Sequence, residues 1–238
     1  TSSTDGYRLR ADSAEVTLPV LRVGQTVTGS LMNNGDFAFY RLEVTAPQRV
    51  ILQLKGDGAS DVNQLYVRFG ALPSTNTFDF AARSAQPGQI LEMPQAQAGS
   101  YYVMVRAERD GGGLDTYSLR ADSDATLPVL ALGQVVTDTL VSSGDFDLYR
   151  MEAAPGQRMV LQLRGDGTAD INELYVRYDS VPTLGGSDYA ATTASYRQWL
   201  EIPQARAGSY FVLVYARTDG TSSTDGYRLR ADSAEVTL

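Results

Sequence analysis

Carboxylates recur at two kinds of position in this chain and suggest a site for a hard cation. Some lie in short acidic segments that precede two similar stretches of sequence, and others open the segments that read Gly-Asp-Phe. Calcium takes roughly six to eight oxygen ligands, mostly from carboxylates and carbonyls. The predicted calcium ligands are Asp12, Glu15 and Asp36 in the first stretch and Asp122, Asp124, Asp145 and Asp147 in the second. The alternative is that these acids are solvated turn residues, with Asp36 and Asp145 serving as turn residues before a strand.

A second polar cluster consists of Asp57, Asp61 and Asn63. The same pattern returns later in the chain as Asp166, Asp170 and Asn172. The Asp-x-Asn spacing is similar to part of a calcium loop, but the glycine and the terminal glutamate of an EF-hand loop are absent. A polar loop between two strands is therefore the preferred interpretation.

The residue composition removes most catalytic chemistries. The chain of 238 residues contains no His and no Cys, which excludes a Ser-His-Asp triad, a thiol nucleophile and a zinc site with these ligands. A Ser-Lys dyad would need Lys55, and the second stretch has Arg164 in its place. Pairs of carboxylates, which glycosidases use, arise by chance among so many turn acids. We therefore predict that the protein is not an enzyme.

Another candidate surface is the outer face of a strand predicted over residues 100–107. With Tyr101 facing the core, the outward side chains are those of Tyr102, Met104 and Arg106. The corresponding outward set in the second stretch is Phe211, Leu213 and Tyr215. Consecutive outward apolar residues indicate either a ligand or protein surface, or a face that another segment covers. The preferred interpretation is that a loop such as 183–199 covers this face.

The net charge of −8 excludes several partners. Nucleic acids and anionic membrane surfaces both attract cationic proteins, so neither is an expected partner. No stretch approaches the length of apolar residues that a membrane-spanning helix needs, and membrane insertion is not expected.

The dominant feature of the sequence is internal repetition. Residues 1–18 recur unchanged as residues 221–238, and matching segments in between lie 109 residues apart, as Gly35 and Gly144 do. This predicts a first module at 19–122 and a second at 128–232, joined by a linker at 123–127. Residues 1–18 are expected to be the last strand and linker of a preceding repeat, and 233–238 the start of the next linker. The repetition predicts that the chain is a segment of a longer array.

Each module is predicted to be all-β. Short segments with alternating apolar and polar residues are separated by turn signals such as Asn34-Gly35 and Pro87-Gly88. About eight strands per module indicate two tandem jelly-roll-like antiparallel β-sandwiches. The strand at 5–11 has no module of its own, so it is expected to lack its usual pairing partner.

The order of the motifs resembles the bacterial pre-peptidase C-terminal domain family. In the second module the motifs are Gly144–Tyr149, Asp170–Arg177, Ala207–Val214 and Tyr227–Arg230. The resemblance covers both modules almost end to end. It implies a jelly-roll-like sandwich of a kind that occurs after the catalytic domain of secreted proteases and in tandem in large surface proteins.

The resemblance also implies a place for calcium. Relatives of the family include the collagen-binding domains of clostridial collagenases, which bind calcium near their N-terminal linker. The linker acids would then lie near the start of the Gly-Asp-Phe strand. This chain departs from the family at two points, since an Asp-Ser pair replaces the usual Asn-Asp of the linker, and Ala38 stands where the second module has Asp147.

These observations predict a non-catalytic repeat module of a large bacterial secreted or cell-surface, adhesin-like protein. Its role would be that of a spacer, with calcium as the cofactor that stiffens the joints and neighbouring repeats as partners. One alternative is a module that binds an extracellular protein fibre or polysaccharide through the outward aromatic face. Another is a targeting or maturation appendage of a secreted protease. The difference between the two outward sets favours the spacer, because a multivalent binder needs the same site in both copies.

Overall fold

A computed structural model describes residues 17–58, 60–109, 111, 114–218 and 225–234. Within these residues the secondary structure consists of β-strands and the turns and loops that connect them. The strands of the first module are β1 (Val20–Leu21), β2 (Thr26–Leu31), β3 (Phe37–Val44), β4 (Gln48–Gly56), β5 (Val62–Phe69), β6 (Phe80–Ala82), β7 (Gln89–Ala96), β8 (Gly99–Arg109) and β9 (Asp115–Asp122). The strands of the second are β10 (Val135–Leu140), β11 (Phe146–Ala153), β12 (Arg158–Gly165), β13 (Ile171–Tyr178), β14 (Tyr189–Ala191), β15 (Arg197–Ile202), β16 (Gly208–Thr218) and β17 (Asp225–Ala234).

The two modules share one topology. In the first, a sheet with the order β1-β3-β8-β5-β6 faces a sheet with the order β2-β9-β4-β7. In the second, the orders are β11-β16-β13-β14 and β10-β17-β12-β15. All strand pairs are antiparallel except the two-residue pair of β1 with β3. The prediction of two tandem all-β sandwich modules is therefore confirmed.

Alternation along the strands determines which side chains enter each core. Val50, Leu52 and Leu54 of β4 lie in the core of the first module, as do Tyr101 and Val103 of β8. The second module repeats this arrangement in a separate core.

Nothing helical in the described part of the chain has the length and apolarity needed to cross a bilayer.

The final strand of each module closes one sheet. β9 lies between β2 and β4, and β17 lies between β10 and β12 in the equivalent place. The strand predicted at 5–11, which has the same sequence as part of β17, lies outside the described residues.

Candidate functional site

A third apolar cluster lies between the modules. It joins the outer face of β4 and β7 in the first module to the outer face of β11, β13 and β16 in the second. Its buried members are Ile51, Leu127, Phe146, Leu148, Tyr175, Val181, Phe211, Leu213 and Tyr215, and Ile90 packs against them. We call this set the inter-module cluster. Fully burying one large apolar side chain stabilises a folded state by about 1.5–3 kcal/mol, so the cluster favours one docked arrangement of the modules.

Arg49 connects this cluster to polar groups of the second module. Its guanidinium donates to the backbone oxygen of Asp179 at 3.0 Å and to Asp179 Oδ1 at 2.9 Å. It also lies 4.8 Å from the ring centroid of Phe211 and pairs with Glu92. Such a bidentate contact combined with ring stacking fixes orientation better than a flexible ammonium group would.

Glu92 extends the polar contact across the boundary. Its Oε2 atom accepts hydrogen bonds from Ser180 Oγ at 2.7 Å and from the backbone nitrogen of Val181 at 3.1 Å. The carboxylate therefore bonds both to Arg49 in its own module and to the loop after β13 in the other.

Lys55 forms the other polar bridge. Its Nζ atom lies 2.9 Å from Asp147 Oδ1 and 3.1 Å from Asp145 Oδ1, and 5.2 Å from the ring centroid of Phe146. Burial lowers the pKa of Lys55, but Asp147 and Asp145 outweigh that effect, and the pKa lies above its ordinary value. Lys55 therefore stays charged and neutralises two acids of the second module.

The bridge continues into the second module's core. Asp147 Oδ2 accepts a hydrogen bond from the Tyr227 hydroxyl at 2.8 Å, and that hydroxyl lies 2.5 Å from the hydroxyl of Tyr149. Asp138 accepts from Tyr149 at 3.3 Å. A polar chain thus runs from the only lysine of the protein to the buried tyrosine pair.

Two glycines allow the modules to approach closely. A Cβ atom on Gly88 would lie 2.5 Å from Phe146, and one on Gly144 would lie 2.8 Å from Pro87. Gly144 also has a φ of +92°, which L side chains rarely adopt. Arg197 occupies the position of Gly88 in the second module, so this requirement exists only where the two modules meet.

The predicted calcium ligands are divided among several local contacts. Asp145 and Asp147 form ion pairs with Lys55, and Asp124 Oδ1 lies 3.3 Å from Arg49 Nε. Asp122 is buried and pairs with Arg120 at 2.7 Å.

The carboxylate of Asp36 accepts from the backbone nitrogens of Met32 and Asn33 at the turn before β3. Asp12 and Glu15 lie outside the described residues. Four of the predicted ligands, Asp122, Asp124, Asp145 and Asp147, therefore already lie beside a positively charged side chain of Arg120, Arg49 or Lys55.

A different set of acids meets where β4 ends and β9 begins in the first module. Oxygens of Asp57, Asp61 and Asp115 lie within 4.8 Å of one another, and we call these residues the acidic triad. Asn63 is fully buried and donates to Asp115 Oδ1 at 3.0 Å, while its own Oδ1 has no hydrogen-bond partner among the described residues. Like charges at this separation repel, and a bound cation would offset that repulsion.

The triad differs from the predicted cluster by one residue. The sequence pattern contains Asp57, Asp61 and Asn63 but not Asp115, which joins them through the pairing of β9 with β4. The corresponding Asp170 Oδ2 in the second module accepts from the backbone nitrogen of Gly167 at 2.9 Å, and Asn172 is fully buried.

The predicted ligand surface has different surroundings in each module. Phe211, Leu213 and Tyr215 are buried under the first module. Module 1 therefore covers this face, and the covering loop expected at 183–199 contributes only its first residues at the margin. Within that loop region Trp199 is exposed instead.

In the first module, Met104 is buried and Tyr102 is half-buried. Phe78 covers part of this face, with its ring centroid 5.4 Å from that of Tyr66. The second module has Ser187 at the position of Phe78, so it has no aromatic side chain there to cover its own face.

Sequence reasoning did not identify the residues that the first module contributes to the interface. These are Arg49, Ile51, Lys55, Ile90 and Glu92. One available signal was the unbroken apolar run Val50-Ile51-Leu52, which is typical of a strand buried on both faces.

Comparison with known proteins identifies one family for both modules. A family model described as the bacterial pre-peptidase C-terminal domain matches residues 36–107 and 145–216. One match lies in each module, and together they include more than half of the chain.

Individual relatives are distant or partial. Alkaline serine exoprotease A of Vibrio alginolyticus is 32% identical over 94 residues, which are 40% of this chain and 17% of that protein. The pre-peptidase C-terminal domain of a Bacillus anthracis collagenase is 15% identical with a TM-score of 0.37, covering 47% of this chain and 100% of that one. The secreted serine protease VesC of Vibrio cholerae is 11% identical with a TM-score of 0.33, covering 84% of this chain and 51% of that one.

Proposed function

Because the chain belongs to the bacterial pre-peptidase C-terminal domain family, we propose that it is a non-catalytic, two-module structural unit of a larger bacterial protein. Its role is that of a spacer that holds two modules in one orientation. The observation that carries this proposal is the inter-module cluster, because burial of aromatic side chains from both modules disfavours free movement of one against the other.

The connection between the modules supports the same role. Leu127 belongs to the inter-module cluster, and its backbone nitrogen donates to the Ser123 oxygen at 3.1 Å. Thr126 Oγ1 accepts from the Ser123 nitrogen at 2.8 Å and donates to Asp122 Oδ1 at 2.9 Å. A linker with this many internal contacts acts as part of the interface rather than as a flexible tether.

The proposed setting is outside the cell, in an adhesin-like secreted or surface protein with neighbouring repeats as partners. This rests on the family and on the near-identical repetition, which suits a spacer whose length matters more than its individual surfaces. The similarity to part of a serine exoprotease favours a second setting, in which the unit is an appendage of a secreted protease. The spacer role is compatible with both.

A ligand-binding role through the aromatic face is less well supported. In the second module that face is in contact with the first, and in the first module Phe78 covers part of it. A protein fibre or polysaccharide would therefore meet two unlike surfaces, which does not favour multivalent binding.

We further propose that the acidic triad binds a divalent cation, with calcium as the candidate. Its three carboxylates have oxygens within 4.8 Å of one another and form a set of hard oxygen donors. Such a cation would stiffen the end of the first module by linking the loop after β4 to the start of β9.

NMR relaxation tests the spacer role, because it gives the rotational correlation time of each module. We expect the two modules of the native chain to share one correlation time, and we expect Ile90→Asp to give separate, shorter times. Leu114→Asp is the matched control, since it makes a similar change at an exposed site outside the inter-module cluster. Independent tumbling in the native chain would refute the proposal.

A further inference from the structure

The inter-module contact joins a face of the first module to a different face of the second. Because the modules are repeats offset by 109 residues, each module also carries a counterpart of the face that the other one contributes. The second module repeats the outer face of β4 and β7 on β12 and β15, which we call the Trp199 face (Arg158, Val160, Arg164, Trp199 and Glu201). The first module repeats the opposite half on β3, β8 and the loop after β5, which we call the Phe37 face (Phe37, Leu72 and Arg106, with the buried Met104 at the position of Leu213). We infer that two copies of this chain associate head to tail, the Trp199 face of one on the Phe37 face of the other. This inference rests on the proposed function, which treats the contact between modules as a stable interface.

Exposure of the equivalent residues supports the inference. Phe146 and Val181 are 2% and 4% exposed where the first module covers them, whereas their counterparts Phe37 and Leu72 are 59% and 49% exposed. On the other side, Trp199 is 61% exposed. Large apolar side chains that share a face and remain this open indicate a protein contact surface.

The apolar run in the second module points the same way. Met159-Val160-Leu161 repeats the pattern of Val50-Ile51-Leu52, and a strand with such a run usually has both faces covered. Only the inward face of β12 packs in a core, with Met159 and Leu161 among its members. Val160 on the outward face is already 6% exposed, so Trp199 and Arg164 make up the part of this face that is open to a partner.

The charged groups of the interface are also repeated. Arg158 lies 2.7 Å from Glu201, as Arg49 lies beside Glu92. The guanidinium lowers the pKa of Glu201, so this carboxylate is ionised and can accept hydrogen bonds. In the intact interface Glu92 accepts from the backbone nitrogen of Val181, and the counterpart of that nitrogen belongs to Leu72.

Two changes between the modules complement one another. Ile90 and Tyr215 line one cavity of the existing interface, and the corresponding residues of the inferred one are Trp199 and Arg106. An arginine on the face of a tryptophan is a favourable cation–π pair, whereas an isoleucine offers no such site. Arg164 stands at the position of Lys55, and Asp36 at that of Asp145, so the inferred contact keeps one positive and one negative side chain at these positions.

The inferred contact is weaker than the one inside the chain. Ala38 replaces Asp147, and Phe78 already covers part of the Phe37 face. Arg197 replaces Gly88, where even a Cβ atom would lie 2.5 Å from Phe146, so the Trp199 and Phe37 faces cannot approach as closely at that point. The linked modules also benefit from an effective concentration on the order of millimolar. Association of separate copies is therefore expected at protein concentrations of about 0.1–1 mM.

The direct test is sedimentation equilibrium over that concentration range. Because a head-to-tail contact does not close on itself, the average mass of the native chain should rise past that of two copies. Trp199→Asp and Phe37→Asp should each remain single copies. An equimolar mixture of these two variants should form a complex of two copies, because each contributes one intact face. Leu114→Asp, at an exposed site on neither face, should behave like the native chain.

Fluorescence offers an independent readout, since Trp199 is the only tryptophan. Its emission should shift to shorter wavelength as the concentration rises, and Phe37→Asp should abolish that shift. A native chain that stays a single copy at about 1 mM, or a mixture of the two variants that does not combine, would overturn the inference. If the modules nevertheless share one correlation time, the spacer role stands and only the head-to-tail contact fails.

Discussion

Lys55 Nζ lies 2.9 Å from Asp147 Oδ1 and thereby joins the outer face of one module to the buried polar chain of the other. Two acids of the second module, Asp145 and Asp147, are thus neutralised by a lysine of the first module. This contact makes the lysine a sensitive probe of how the two modules are coupled.

We predict that Lys55→Ala lowers the free energy of unfolding of the second module by about 1–3 kcal/mol, because Asp145 and Asp147 lose their cation. Calorimetry of the native and variant chains measures this change. Arg164→Ala is the matched control at the equivalent, exposed position and should cost at most about 0.5 kcal/mol. Equal effects of the two substitutions would contradict the assigned role of Lys55.

Gly29→Ala should destabilise the first module. A Cβ atom there would lie 2.4 Å from the Tyr117 hydroxyl and 2.7 Å from that of Tyr40, which are hydrogen-bonded to each other at 2.7 Å. Overpacking of this kind costs about 1–3 kcal/mol, measurable by urea unfolding. Gly185→Ala, where a Cβ atom meets nothing within 4 Å, should leave stability unchanged.

Stability should fall as the pH rises above about 10, the ordinary pKa of tyrosine. Burial is the main cause that raises the pKa of Tyr117, Tyr149 and Tyr227 in the folded protein. Above that pH the unfolded chain loses these protons while the folded chain keeps them, so the unfolded state binds fewer protons and gains in relative stability. The raised pKa of Lys55 acts in the same direction.

Urea unfolding at several alkaline pH values measures this slope. Tyr227→Phe removes one of the shifted groups, so its stability should decline less steeply with pH than that of the native chain. Parallel slopes for the two proteins would show that Tyr227 is not among the groups responsible.

Millimolar calcium should raise the melting temperature if the acidic triad binds it. A ligand at about 100 times its dissociation constant stabilises the folded state by about 2.7 kcal/mol, which moves the melting temperature of a chain of this size by several degrees. Asp61→Asn should reduce the calcium-dependent rise, and Glu152→Gln, at an exposed acid elsewhere, should not. Magnesium is the control ion.

The same experiment separates the triad from the linker acids. If Asp145→Asn abolishes the calcium-dependent rise and Asp61→Asn preserves it, the cation binds near the Gly-Asp-Phe strand instead. If EDTA and calcium give the same melting temperature for the native chain, neither group of acids binds calcium under these conditions.

Local pattern was sufficient to predict most of the fold. The alternation of Val50, Leu52 and Leu54 identified the inward face of β4, and the 109-residue repeat indicated two modules of one topology. The first module has nine strands rather than about eight, because the two-residue strand β1 pairs with β3 in parallel. A strand this short has too few residues for a recognisable alternation.

The sites were harder to predict because they depend on contacts between distant residues. Asp115 lies 54 positions after Asp61 in the chain, and only the placement of β9 beside β4 brings it to the triad. Likewise, no local feature of Lys55 indicates that it pairs with Asp147, 92 residues later.

By itself, the sequence determined that this protein consists of two related all-β modules without histidine or thiol chemistry, because composition and periodicity are local properties. It also determined which side chains of β4, β8 and β16 face outward. Only the tertiary structure decided which outward faces are covered. Ile90 and Trp199 occupy the same position in matching motifs, yet one packs against the other module and the other is exposed. Burial of an outer face depends on what docks against it, and that contact is made by residues far away in the chain.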